Sequence, residues 1–104
     1  MIEVYATQGG GKCRLLVTGH ATEGADRDIV CAGVSALVQS LALYAADRPD
    51  TRRRLRCHVQ PGEVFFSCHG IEQGFGTVLC GLFAIAREHP DCLAIRSFIA
   101  VDDK

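Results

Sequence analysis

The chain has 104 residues, 48% of them hydrophobic and 22% charged, which suits one folded domain spanning 1–104 and excludes a disordered segment. Eleven basic against twelve acidic side chains leave a formal charge of -1, so no long-range field favours nucleic acid. The six cysteines are scattered, with no Cys-x-x-Cys, which excludes a disulfide scaffold and predicts free thiols in a reducing, cytoplasmic setting.

Met1-Ile2-Glu3-Val4-Tyr5 has an acidic residue and alternation in place of a basic start and an apolar run, so it is not read as a signal peptide. Glu3, Tyr5 and Thr7 alternate with Ile2, Val4 and Ala6, predicting a first strand. Gly9-Gly10-Gly11-Lys12 lacks the spacing of a phosphate loop and reads as a hairpin turn into a second strand, Arg14 to Thr18. Asp28 to about Ala46 predicts a helix. Its uncharged stretch, Ile29 to Ala46, approaches the length of a membrane span, but the polar residues inside it favour a buried helix and no membrane.

The basic run Arg52-Arg53-Arg54 with Arg56 reads as a solvated strand start and gives no strong nucleic-acid signal. Arg53 to Gln60 and Glu63 to Gly70 predict a hairpin about Pro61-Gly62. Leu55, Cys57, Val59, Val64, Phe66 and Cys68 fall on one face of it. A second helix follows, roughly Gly74 to His89, ended by Pro90, and Leu93 to Val101 predicts a last strand. Strand-strand-helix repeated twice gives an α+β two-layer sandwich, with helices packed on a mostly antiparallel sheet. Both helices are apolar around most of their circumference, more than one sheet can cover, which predicts a homodimer.

Chemistry concentrates between Gly19 and Leu37. Asp28 is placed to cap the first helix, making Cys31 its third residue, where free N–H groups and the helix dipole favour a thiolate. His20 ends the preceding strand, and a loop over 21–27 can return the chain beside it. A thiol at a helix start near an imidazole is an activated nucleophile, and the same N–H groups would hold an oxyanion. A cysteine within Ile-Val-Cys-Ala is also a common core residue, so spacing alone leaves both readings open.

Gly19-His20-Ala21 followed by Asp28-Ile29-Val30-Cys31-Ala32, then Val34-Ser35-Ala36-Leu37, resembles the signature of the ribosomal-processing cysteine proteases of the Prp family. The resemblance implies a homodimeric α+β fold with His20 and Cys31 as a catalytic dyad and Asp28 in support as cap or orienter. It also implies removal of a short N-terminal extension from a large-subunit ribosomal protein, by cutting beside an aromatic residue. The loop of Gly19, Ala21 and Gly24 would grip the peptide, with Gly24 as a hinge. The chain departs from the family pattern at Asp26 and at Gly33, where the family usually has glycine and alanine, and its loop is one residue shorter.

Ser35, one turn after Cys31, either bonds back to a carbonyl or lines the site. Cys57-His58 and Cys68-His69 do not form a metal set, because each cysteine and its neighbouring histidine face opposite ways; no metal or cofactor is expected. Cys13, Cys80 and Cys92 read as packing. Two alternatives to the protease remain, a non-catalytic ribosome-associated module of the same fold and a thiol enzyme of other specificity.

Overall fold

The computed structural model describes residues 1–22 and 24–101. Strands β1 (Ile2–Gly9) and β2 (Lys12–Thr18) form a hairpin, followed by helix α1 (Arg27–Ala46) and a short helix α2 (Pro49–Arg52). A second hairpin, β3 (Arg56–Gln60) and β4 (Glu63–His69), leads into α3 (Glu72–Glu88) and β5 (Leu93–Ala100). The sheet order is β3-β4-β2-β1-β5, and every pairing is antiparallel except β1 with β5. The expected two-layer α+β sandwich is what forms.

Register divides the sheet into two faces. Val4 opposes Val17, Val17 opposes Val64, and Leu15 opposes both Ala6 and Phe66. All of these but Val64, which is half-buried, are core residues under α1 and α3. Alternate positions, among them Tyr5, Arg14, Leu16 and Phe65, therefore lie on the other face. The hairpin alternation read from the sequence holds, with Cys57 opposite Phe66 and Val59 opposite Val64. Yet β3 is an edge strand, exposed along its whole length, so Cys57 and Val59 share the core face without entering the core.

Helix α1 buries the stripe Val30, Val34, Val38, Leu41 and Ala45. It is long and apolar enough to cross a membrane by composition; here that stripe packs in the core. Its crossing with α3 is close because glycine supplies α3's surface. A Cβ on Gly81 would meet Leu37 at 2.9 Å, and one on Gly74 would meet Tyr44 at the same distance.

Two expectations need correction. The run at Arg52–Arg54 does not begin a strand: it closes α2 and a following turn, and β3 starts at Arg56. Pro49 at the first helical turn and a buried Thr51 make that short helix. The Thr51 hydroxyl donates to the Ala45 carbonyl at 2.6 Å, tying α2 to the end of α1.

The second correction is at the start of α1. Asp28 is not the cap: Asp26 is, and Asp28 is the second helical residue. Its side chain is 97% exposed and lies 3.7 Å from Arg27. The Asp26 carboxylate makes no capping bond either; it lies 3.3 Å from His89 Nδ1, at the end of α3.

Candidate active site

His20 and Cys31 line one cleft of about 230 Å³ between the start of α1 and the β3–β4 hairpin. Helix geometry places the sulfur there. At about 100° per residue, Cys31 falls on the flank of the buried stripe, half-buried at the edge of the core. Val34 and Ser35, one turn on, continue the wall, so Ser35 lines the site. Back-bonding along this helix falls to Ser40, whose hydroxyl donates to the Ala36 carbonyl at 2.7 Å.

His20 reaches the cleft because the chain turns sharply at Gly19. That residue has φ +87°, and a Cβ there would collide with the Met1 carbonyl, so only glycine fits. Two backbone bonds fix the turn. Gly19 N–H donates to the Gly62 carbonyl at 2.8 Å, and the Met1 amino nitrogen donates to the His20 carbonyl at 2.7 Å. The imidazole then stands against Gly62, with Nε2 3.0 Å from the place a Cβ would take.

The opposite wall is the hairpin, through Val59, Gln60, Gly62, Glu63 and Val64. The sequence located this turn at Pro61-Gly62 but carried no sign that it stood over Cys31. Val59 is 73% exposed, an apolar side chain facing open space beside the cleft.

The remaining loop residues separate. Ala21 is buried in the core. Gly24, with φ +93°, opens onto a different depression shared with Asp26, His89 and Pro90. The structure thus brings Gly19, His20, Cys31 and Ser35 together, and leaves Gly24 and Asp28 outside the cleft.

The corrected helix start also moves Cys31. It is the fifth helical residue, past the four N–H groups that a helix start leaves free. The dipole acts mainly within the first turn, so the expected help from the helix end is reduced at this sulfur. An imidazole in the same cleft is the remaining means of activating the thiol. Among the described residues no hydrogen bond joins the two side chains, and such contacts tighten when substrate arrives.

The other thiols sit differently. Cys13 is fully buried, and burial, then Glu72 and Cys68, push it up to about 12. Burial also raises Cys68, whose S–H donates to the Thr51 carbonyl at 3.3 Å, and partial desolvation raises Cys57.

A family model described as cysteine protease Prp matches residues 1–94. Several solved structures share the fold. One is the S. aureus ribosomal processing protease Prp with a covalently linked product peptide: TM-score 0.74, 22% identity, covering 97% of this chain and 100% of that one. The same S. aureus protease with a substrate peptide aligns at TM-score 0.72 and 23% identity, over 94% of this chain and 99% of that one. A protein from Streptococcus mutans aligns at 0.72 and 22%, over 97% and 96%. No curated protein matches the sequence.

Proposed function

The chain belongs to the Prp family of cysteine proteases, and from that premise we propose that it is a single-domain cytoplasmic endopeptidase with Cys31 as nucleophile and His20 as general base. Its substrate is a large-subunit ribosomal protein bearing a short N-terminal extension, cut beside an aromatic residue. The observation that carries this reading is the shared cleft, in which a thiol on a helix flank and an imidazole held by backbone bonds face one space.

The chemistry follows. His20 takes the Sγ proton, and the sulfur attacks the scissile carbonyl, forming a C–S bond and a tetrahedral oxyanion. The oxyanion collapses, the C–N bond breaks, and the imidazolium returns its proton to the leaving amine. Water, deprotonated by His20, then attacks the thioester, releasing the new carboxylate and the Cys31 thiol. Exposed Val59 supplies an apolar wall suited to an aromatic side chain.

The same reading includes a homodimer. Ile29, Ala32, Ala36 and Leu43 form an exposed apolar strip on α1 opposite its buried stripe, and a second copy of that strip would cover it. Six cysteines without a disulfide among the described residues suit a reducing compartment.

The test mixes purified protein with the extended ribosomal protein and weighs the products. Loss of a short N-terminal peptide, absent with Cys31→Ala, is expected. An intact substrate, or cutting by the variant at the wild-type rate, would sink the assignment.

A further inference from the structure

The sheet face away from α1 and α3 carries a graded surface that, apart from Glu63 at its acidic end, the peptidase reading does not use. At the Lys12 end, Lys12, Arg53, Arg54 and Arg56 surround a depression of about 330 Å³ together with Ser67 and His69. Ser67 stands opposite Arg14 on β2 and opposite Arg56 on β3, so Arg14 extends the same patch. Five of the chain's eleven lysines and arginines thus meet on one face of a protein with net charge -1. Among the described residues none of the five is ion-paired, while Arg27 and Arg96 are.

The next row along the strands is apolar and aromatic. Tyr5 opposes Leu16, Leu16 opposes Phe65, and Phe65 opposes His58. Tyr5 is exposed, and Leu16 and Phe65 are half-exposed. The far row is acidic, with Glu3 and Glu63 on either side of Thr18. Cations beside rings on an open sheet can hold phosphates and stack bases at once, which an acidic peptide would not require.

From this charge complementarity and the adjacent ring row, we propose that the open sheet face binds single-stranded nucleic acid. Phosphates lie on Arg14, Arg54 and Arg56, and bases stack on Tyr5 and Phe65. The inference does not rest on the protease reading. At about 3.3 Å per residue along β2, Lys12 is about 20 Å from Thr18 beside the cleft, so both surfaces can be occupied together.

The experiment is fluorescence anisotropy of a labelled, mixed-sequence single-stranded RNA with the intact protein across a salt series. Binding at low salt is expected, with a log–log salt slope near -3, from about 0.7 per phosphate over four or five contacts. Arg14→Gln with Arg54→Gln and Arg56→Gln should weaken binding at least about tenfold and flatten the slope by about 2. Tyr5→Ala should weaken it several-fold at unchanged slope. Circular dichroism and cleavage of a short peptide should be unaffected in all of these, since none of the residues lines the cleft; if the triple variant misfolds, Arg54→Gln with Arg56→Gln is the readout. No binding at about 100 µM and low salt, unchanged binding by the arginine or Tyr5 variants, or equal affinity for a polyglutamate chain would each overturn the proposal.

Discussion

The Nε2 atom of His20 lies 3.0 Å from the position that a Cβ on Gly62 would occupy, so the imidazole rests on bare backbone at the tip of the second hairpin. Any side chain there must push the ring away or move the hairpin. Gly62 also has φ +76°, where an alanine is strained. Gly62→Ala should therefore cost about 1 kcal/mol in stability and reduce cleavage by roughly 10- to 100-fold, through displacement of the base. Gly10→Ala is the control, because its φ of +61° carries a similar strain on an exposed turn outside the cleft. Equal activity losses in the two variants, measured at matched folded fractions, would dismiss the contact with His20.

Cys31→Ala should abolish cleavage with melting temperature nearly unchanged, since alanine suits a helix. His20→Ala should reduce the rate by about 100-fold or more, the usual contribution of a general base. Asp28→Ala should do neither: an exposed carboxylate that caps nothing is expected to shift stability by no more than about 0.5 kcal/mol. A Cys31→Ala, His20→Ala and Asp28→Ala series, assayed by product mass, checks all three.

Alkylation should separate five of the six thiols. Iodoacetamide at neutral pH, followed by peptide mapping, should label Cys31 first, because it is only half-buried and shares its cleft with the His20 imidazole. Exposed Cys57 and Cys80 should follow, Cys57 slowed by its raised thiol. Buried Cys13 and Cys68 should remain unmodified until the protein unfolds; at a value of about 12, roughly one Cys13 in ten thousand or fewer is a thiolate at neutral pH. Labelling of Cys80 ahead of Cys31 would contradict the activation of Cys31.

Alkaline pH should destabilise the fold through Cys13. Its thiol is held up to about 12 when folded, against 9.0 for the free group. Between these values the unfolded chain has lost a proton that the native chain keeps, so stability falls as pH rises. The contribution is complete below pH 9 and declines by at most about 1.4 kcal/mol per pH unit above it. Urea melts from pH 8 to about 11 should show that slope, and Cys13→Ala should reduce it.

The exposed strip on α1 predicts that Leu43→Glu dissociates the proposed homodimer. Leu43 is 71% exposed in the single chain, so the change should leave the monomer folded while placing like charges across the shared strip. Light scattering at micromolar concentration should report a dimer for the wild type and a monomer for the variant. A monomeric wild type would refute the interface.

Much of this was legible in advance. Alternation at Ile2–Thr7 and along the second hairpin placed three strands on the right faces, and Pro61-Gly62 marked the turn. Pro90 marked the end of α3 to within a residue. What failed was local and competitive. Asp26 and Asp28 are both good caps by residue type, and the choice of the earlier one put Cys31 two residues deeper into the helix than spacing implied. Arg52–Arg54 looked like a strand start because a four-residue helix has no periodicity to detect. The hairpin wall of the cleft was invisible for a different reason: nothing local in residues 59–64 records that β4 pairs with β2 and so carries Gly62 beneath His20.

The order of strands also sets the order in which the site can come into being during synthesis. His20 and Cys31 emerge early, on β2, its following loop and α1, while the wall that faces them is made some thirty residues later, and β5, made last, completes the sheet against β1. A growing chain carrying both side chains but lacking β4 has a thiol and an imidazole with no groove to hold a peptide between them. For a protein made beside the machinery it is proposed to process, that timing keeps the nascent thiol from acting before the whole fold has closed.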